Sequence, residues 1–402
     1  MQARPKVLFI SSWYPSVLKP TEGNFVQQHI RAAQLVADVA LVHVVLSTQH
    51  QELTHELKSA SYEEQLIYIP KSTLPVIGFL INYFRVFSTY WKFAAQTKLG
   101  KPDLIHANVL YPIGLVGVLL KIRWRIPLLF TEHWTCYHAY AQPQPTRIQQ
   151  FFLRWIGNKA NLVMPVSLDL AAAMQNFGVS STMKVIPNVV DTNIFTAVEK
   201  RPHGVYRFVH ISSLDPEQKN FHLLVRAFYQ LKKQQPKVEL HVVSDGDFAA
   251  YGTLIKGFDF AKSIHFHGQQ DSAGVAAILQ FADALVLSSR FENLPCVLLE
   301  ALATGTPMIA TNVGGVAEII HQGNGILVPS EDENALLAAM IDIQQRAYSA
   351  QEMHAEAQQK AKDREMLGAF LIPESRAILA KHLEKKLGIK SSGDLKADEQ
   401  QA

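Results

Sequence analysis

The stretch FADALVLSSRFENLPCVLLEALATGTPMIATNVGGVAEII, Phe281 to Ile320, decides the fold. A short β-prone run ends at Ser288-Ser289, and a loop carrying Glu292 and Asn293 follows. Pro295 suits the first turn of a helix, where its missing N–H costs nothing. The helix runs from about Pro295 to Ala303 and stops at Gly305, with Pro307 behind it. A helix N-terminus thus sits at the carboxyl end of a strand, where unpaired N–H groups and the helix dipole suit an anion, most simply a diphosphate. Glu292 lies at the helix mouth. Glu300 lies about one and a half turns in, and helical side chains lean toward the N-terminus, so it reaches back to the same cleft. Two carboxylates beside an anion site do not grip phosphate. They accept hydrogen bonds from sugar hydroxyls, unless both are plain helix-surface residues.

Outward from this stretch, β-rich runs alternate with helical patterns, which implies βαβ units and parallel sheets. The first half reads as strands Val7–Ser11, Val39–Leu46, Leu104–His106, Leu128–Thr131 and Leu162–Val166, with helices Asn24–Ala37, Ile113–Arg123 and Leu168–Phe177. The pattern restarts with strand Arg207–Ser212, helix Phe221–Lys233 and strands Val238–Val243, Ala284–Leu287, Met308–Ala310 and Ile326–Val328. The expected organisation is a first α/β domain over 1–187, a Pro-containing linker over 188–202, a second α/β domain over 203–372 and a helix with a frayed tail over 373–402. Asp332–Ala361 reads as helical, and Ile378–Leu387 as a further helix. Doubly wound sheets bind ligands outside the carboxyl ends of their strands, so two facing sheets put one ligand in the cleft between them.

The 402 residues are 48% apolar and 18% charged, which excludes disorder over most of the length. Lys plus Arg is 38 and Asp plus Glu is 35, a net +3, which is no footprint of a nucleic-acid binder. Cys136 and Cys296 are the two cysteines, too few for a disulfide framework or a four-cysteine zinc site. The apolar stretch Val7–Ile10 is too short for a secretory signal, and no run of about 20 apolar residues occurs, so a cytoplasmic location is expected. The nicotinamide G-x-G-x-x-G, the P-loop, H-E-x-x-H and G-x-S-x-G motifs are absent. Asp245-Gly246-Asp247 forms a D-x-D that reads as a Gly-containing turn.

The Phe281–Ile320 stretch resembles the sugar-nucleotide signature of glycosyltransferase family 4 (group 1), retaining enzymes of the GT-B fold. The Glu-to-Glu spacing is intact, as is LEALATGTPMIATNVGG. PDLIHAN (Pro102–Asn108), VMPVS (Val163–Ser167), VIPNVVDTNIF (Val185–Phe195) and DPEQKNFHLLVRAF (Asp215–Phe228) resemble further stations, so the resemblance covers roughly Lys6 to Ser330. It implies a GT-B architecture: two Rossmann-like doubly wound domains facing across a cleft, with C-terminal helices crossing back to the first. Glu292 matches the glutamate near the transferred sugar, and Glu300 the glutamate on the ribose hydroxyls. Asn293, Leu294 and Pro295 occupy the stretch whose backbone amides meet sugar and diphosphate, though Pro295 has no N–H to give. Lys219 matches the basic residue on the diphosphate. Six residues upstream the family commonly has an arginine, where this chain has Ser213, with Arg290 as a candidate replacement cation. Gly23 and Asn24, in PTEGNFVQQHI, match the glycine-containing loop facing the donor phosphate. His133, in LLFTEHWTC, matches a histidine facing the sugar, while His106 reads as structural. Base contacts are expected near His267–Gln270.

The function this implies is transfer of a sugar from a nucleoside diphosphate sugar to a hydroxyl acceptor with retention, in cell-surface polysaccharide or glycolipid assembly. His133 and Glu292 carry the catalytic roles. Gly23, Asn24, Ser213, Lys219, Asn293, Leu294, Pro295 and Glu300 bind the donor. No cofactor or metal is expected. The partners are the donor and a carbohydrate or lipid-linked acceptor, with no nucleic acid. The aromatic stretch Val76–Lys98, with Arg85, Lys92 and Lys98, offers either a helix packed on the sheet or a peripheral contact with an anionic membrane. Ser213 keeps open a second reading, a catalytically degenerate GT-B protein acting as a sugar-nucleotide sensor or interaction partner. An epimerase or phosphorylase of similar shape is a third.

Overall fold

Strand interiors that are apolar on both faces build a parallel sheet, because helices must cover both sides. In β1 (Lys6–Ser11) every residue after Lys6 is buried, and β5 (Leu104–Asn108), β6 (Leu128–Glu132) and β7 (Leu162–Pro165) are buried throughout. The computed structural model describes residues 4–360 except 51, 59–61, 76, 142–143, 200–203, 247, 249–250, 252–254 and 256–260.

The first sheet also contains β2 (Asp38–Ser47), β3 (Thr54–Lys58) and β4 (Glu63–Pro70), in the order β3-β4-β2-β1-β5-β6-β7. All neighbours are parallel except β3, which runs antiparallel to β4 at the edge. Its helices are α1 (Asn24–Gln34), α2 (Ile77–Ala94), α3 (Ile113–Trp124), α4 (Arg147–Gly157) and α5 (Leu168–Phe177). The second sheet holds β8 (Tyr206–Ile211), β9 (Val238–Val243), β10 (Ile264–Phe266), β11 (Ala284–Leu287), β12 (Met308–Thr311) and β13 (Gly325–Val328). Its order is β10-β9-β8-β11-β12-β13, all parallel. Its helices are α6 (Pro216–Lys219), α7 (Phe221–Gln234), α8 (Ser272–Phe281), α9 (Cys296–Thr304), α10 (Glu333–Asp342) and α11 (350–360).

In each sheet the winding reverses at one strand. β1 sits between β2 and β5, and β8 between β9 and β11. The crevice for a ligand opens at the carboxyl ends of those strands. In the first sheet they lead to Ser12-Trp13 and Val109. In the second they lead to Ser212-Ser213 and Ser288-Ser289.

Three segments differ from the sequence reading. β3 and β4 form a hairpin-like edge, and β10 an outer edge, where no strand was expected. Asp332–Ala361 is not one helix: α10 ends at Asp342, and Arg346–Ser349 is extended before α11 begins. Tyr348 packs its ring on the core there, which a continuing helix would swing away. α2 has two faces. Tyr90 and Phe93 are buried against the sheet, whereas Phe79, Leu80 and Phe84 are exposed. The expected helix Ile378–Leu387 and the tail lie outside the described residues, as does Asp247 of the D-x-D. Among the described residues no helix is long and apolar enough to cross a membrane.

Candidate active site

α9 follows β11 through a loop, as the Pro/Gly punctuation predicts. Pro295 is its N-cap and Gly305, at φ 71°, its C-cap. No side chain caps the N-terminus, so its first N–H groups stay available to an anion. Leu298, Leu299, Leu302 and their alanine neighbours are buried, and Cys296, Val297 and Glu300 form the open side. The Glu300 carboxylate has no hydrogen-bond partner among the described residues, though the backbone carbonyl of Glu300 accepts from Thr304 Oγ1 at 3.1 Å. Low-polarity surroundings push the carboxyl up to about 7. The same burial, with the two nearby glutamates, pushes the Cys296 thiol up to about 12, so it is no nucleophile.

Glu292 is buried at the helix mouth and fully engaged. Lys219 Nζ reaches its Oε1 at 2.5 Å, Ser289 Oγ donates to the same oxygen at 2.7 Å, and Gln218 Nε2 lies 3.5 Å from Oε2. The NVGG stretch explains how the loop is held so tightly. A Cβ on Gly314 would lie 1.8 Å from the Glu292 carbonyl oxygen, and one on Gly315 2.4 Å from that of Asn293. Only glycine lets the two backbones approach this closely. Gly315 N–H then bonds the Asn293 carbonyl at 2.7 Å. The Leu294 carbonyl accepts from Asn188 Nδ2 at 2.8 Å, which ties the linker to the helix mouth.

The first sheet supplies the opposite wall. Asn293 Nδ2 crosses the cleft to donate to the His133 carbonyl. The His133 ring packs on Phe25 in the first turn of α1, at 4.1 Å between centroids, and its Nε2 is buried without a partner. Burial drives this imidazole well below its ordinary range, so it is neutral. Gly23 is the N-cap of α1, at φ 73°, and a Cβ there would meet the Trp13 carbonyl carbon at 2.5 Å. α1 too lacks a side-chain cap, so Asn24 and Phe25 present free N–H groups. Thr21 Oγ1, three residues from Asn24, donates to Asp245 Oδ2 at 2.6 Å from across the cleft. Gly246 in turn packs against the Ser213 carbonyl. Lys219 is thus bonded to Glu292 and Asn293 to His133, and Ser213 meets the Thr21–Asp245 bridge through Gly246, while the Glu300 carboxylate is bonded to none of them.

His106 is structural, as read from sequence, whereas Arg290 does not serve as the replacement cation. His106 is buried, bonds Thr131 Oγ1 at 2.7 Å and packs on Phe9. Arg290 is no free cation: it pairs with Glu331 and donates to the Pro216 carbonyl at 2.7 Å and to Asn220 Oδ1 at 3.1 Å. The position left by Ser213 is thus not refilled by Arg290, and Lys219 stands as the cation at the helix mouth.

Sequence reasoning missed Glu132. This fully buried carboxylate accepts from the backbone N–H groups of Leu110, His133 and Trp134 and from the Tyr137 hydroxyl, each at 2.8 Å. It sets the path of the chain through His133. Glu318 was missed as well. It caps α5 from the other domain, accepting from Leu168 N–H at 3.0 Å and Asp169 N–H at 3.2 Å.

Comparison with known proteins agrees with this geometry. The family model described as Glycosyltransferase Family 4 matches residues 32–194, and that described as Glycosyl transferases group 1 matches 206–346. The chain belongs to the family 4, group 1 glycosyltransferases. A D-inositol 3-phosphate glycosyltransferase of Paenarthrobacter aurescens is 28% identical over 61% of this chain and 66% of its own length. The chain spans about 60% of the length of two further such enzymes from Arthrobacter and Pseudarthrobacter. A provisionally named teichuronic acid biosynthesis glycosyltransferase of Bacillus subtilis is 27% identical over 83% of this chain and 88% of its own. Among solved structures, Anabaena HepE in complex with UDP superposes with a TM-score of 0.67 at 20% identity, over 92% of this chain and all of that one. Sucrose-phosphate synthase from Thermosynechococcus elongatus gives 0.69 at 20% identity, over 96% of this chain and all of that one. These likenesses establish a two-domain GT-B fold for this family member.

Proposed function

We propose that this family 4 protein moves a sugar, with retention, from a nucleoside diphosphate sugar to a hydroxyl acceptor in surface polysaccharide or glycolipid assembly. The observation that carries the proposal is the pairing at the mouth of α9: an uncapped helix N-terminus, the Lys219–Glu292 pair beside it and Glu300 one and a half turns in. The helix N–H groups and Lys219 stabilise the diphosphate as charge develops on it. α1 offers a second uncapped N-terminus from the other wall. Glu292 and the neutral His133 orient the sugar. Neither is assigned as a nucleophile. Charge stabilisation by these groups removes the need for a metal at the diphosphate. Domains divided at 187–203 would carry acceptor and donor respectively.

The test is a thermal-shift screen with UDP, GDP and ADP and their sugar conjugates, on the parent protein, Glu300→Ala and Lys219→Ala. A nucleotide at 100 times its Kd adds about 2.7 kcal/mol of stability. Stabilisation by one nucleotide, reduced in both variants, supports the donor site and names the base. No stabilisation by any nucleotide sinks it and favours the second reading, a degenerate protein, for which Ser213 and the engaged Arg290 speak.

Glu300 adds a pH signature. Its carboxyl titrates near 7 in the folded chain against 4.5 ordinarily, so the folded state holds the extra proton between those values. Its contribution to stability therefore falls as pH rises through that window. A ribose hydroxyl needs the ionised carboxylate as acceptor. Affinity for a nucleotide sugar should climb from about pH 6 to about pH 8 in the parent and stay flat in Glu300→Gln. A flat parent profile removes Glu300 from the ribose.

For the acceptor side, we take the exposed Phe79, Leu80 and Phe84 of α2 as a peripheral membrane contact. Replacing all three by Ser should abolish sedimentation with anionic liposomes. Unchanged sedimentation discards the contact.

A further inference from the structure

The outer edge of the second sheet carries a group of side chains that the donor site does not use. β10 runs parallel to β9 with His265 opposite His241. Side chains alternate along a strand, so Glu239, His241, His265 and His267 share one face. Val238, Leu240, Val242 and Ile264 fill the core on the other. The His241 and His265 rings stack at 4.8 Å between centroids, and those of His241 and His267 at 5.2 Å. One ligand atom each of Glu239, His241 and His265 lies within 4.8 Å of the others.

The details favour a ligand over a packing role. His241 is 6% exposed, and its Nε2 is buried with no hydrogen-bond partner, 3.5 Å from Glu239 Oε2. His265 Nε2 is also unpartnered, 3.9 Å from Glu239 Oε1. Burial denies such a nitrogen the water that would otherwise satisfy it. The other nitrogen of His241, Nδ1, lies 2.9 Å from His267 Nε2. When Nδ1–H donates to His267, the lone pair of Nε2 points at Glu239 and His265. That is the tautomer a metal-bound histidine adopts, with a second group fixing its ring.

We propose that Glu239, His241 and His265 bind a borderline divalent transition-metal ion, Zn2+ in the first instance, with His267 as the positioning residue for His241. Two imidazoles and one carboxylate suit Zn2+, whereas Mg2+ and Ca2+ take all-oxygen sets. Arg207 opposes the ion: its Nε sits 4.0 Å from Glu239, and its guanidinium lies on the Phe281 ring. The site staples the edge strand to β9. The segments leaving these strands meet directly, through Ser244 N–H and the Gly268 carbonyl at 3.2 Å, and one of them carries Asp245 to the cleft rim. Apart from His267, which opens the stretch expected to meet the nucleotide base, the inference uses none of the donor-site residues.

The experiment is titration of chelator-treated full-length protein with ZnCl2, MgCl2 serving as control, together with the visible d–d absorption of Co2+ as a direct reading of nitrogen ligation. One Zn2+ per chain, a rise in melting temperature with Zn2+ but not Mg2+, and a Co2+ band are expected. His265→Ala and Glu239→Gln, both at partly exposed positions, should abolish all three. His267→Ala should weaken Zn2+ by about 10–100-fold while keeping one-to-one binding. Absence of a Co2+ band in the parent overturns the proposal. So does a band of equal intensity in His265→Ala, since the ion then sits on other histidines.

Discussion

Glu132→Ala is expected to lose about 4 kcal/mol or more, because three backbone N–H groups and one hydroxyl each forfeit a buried acceptor at about 1–3 kcal/mol apiece. Domains of this kind hold roughly 5–15 kcal/mol in all, so the first domain should melt early or fail to fold. The loss also releases strain. Val109, a β-branched residue, sits at φ 69°, in a region such residues avoid. The bond from Leu110 N–H to Glu132 helps to hold it there. Glu132→Gln separates the acceptor role from the charge. Its amide keeps one oxygen and can donate to the Tyr137 hydroxyl, so about half the loss is expected. Urea unfolding of both variants is the measurement. An alanine variant within about 1 kcal/mol of the parent would mean that the four donors find water instead.

Lys219→Ala is expected to act twice. The Lys219 and Glu292 side chains are 15% and 7% exposed, so removing the ammonium strands a buried carboxylate at a cost of about 3 kcal/mol. Donor affinity should fall as well. A charge-assisted contact to phosphate is worth about 1.5–3 kcal/mol, roughly 10–150-fold in Kd. The double variant Lys219→Ala, Glu292→Gln separates the two effects. It should regain most of the stability, having no stranded charge, but none of the affinity. Calorimetric titration with the nucleotide found in the screen reads the second number. Unchanged affinity in Lys219→Ala would remove this residue from the diphosphate.

The parts of the molecule that sequence made legible are those written in short-range chemistry. α9 was bounded to within one residue because Pro295 and Gly305 punctuate it, and Leu168–Phe177 because Ser167 and Gly178 cap it. The two sheets followed from buried apolar runs at βαβ spacing. Strand β4 was missed because its sequence, EEQLIYIP, mixes charge with an unbroken apolar run, and β10 because three residues leave too little pattern. Glu132 was invisible for a different reason. Two of its four partners lie on Leu110 and Tyr137, and nothing in LLFTEHWTC announces a carboxylate turned inward. The engagement of Arg290 was equally hidden, since Glu331 lies 41 residues away. The Arg290 pair and the Leu110 bond of Glu132 join segments 41 and 22 residues apart, which no local rule encodes.

The bond from Thr21 to Asp245 joins the two lips of the cleft through a single hydroxyl on an exposed surface. Such a bond contributes about 0.5–1.5 kcal/mol, which shifts a shut-to-ajar ratio by no more than about tenfold. It is one of several links between the two sides: Asn293 donates to the His133 carbonyl, and Glu318 caps α5 from the second domain, so losing Thr21 alone leaves the sides joined.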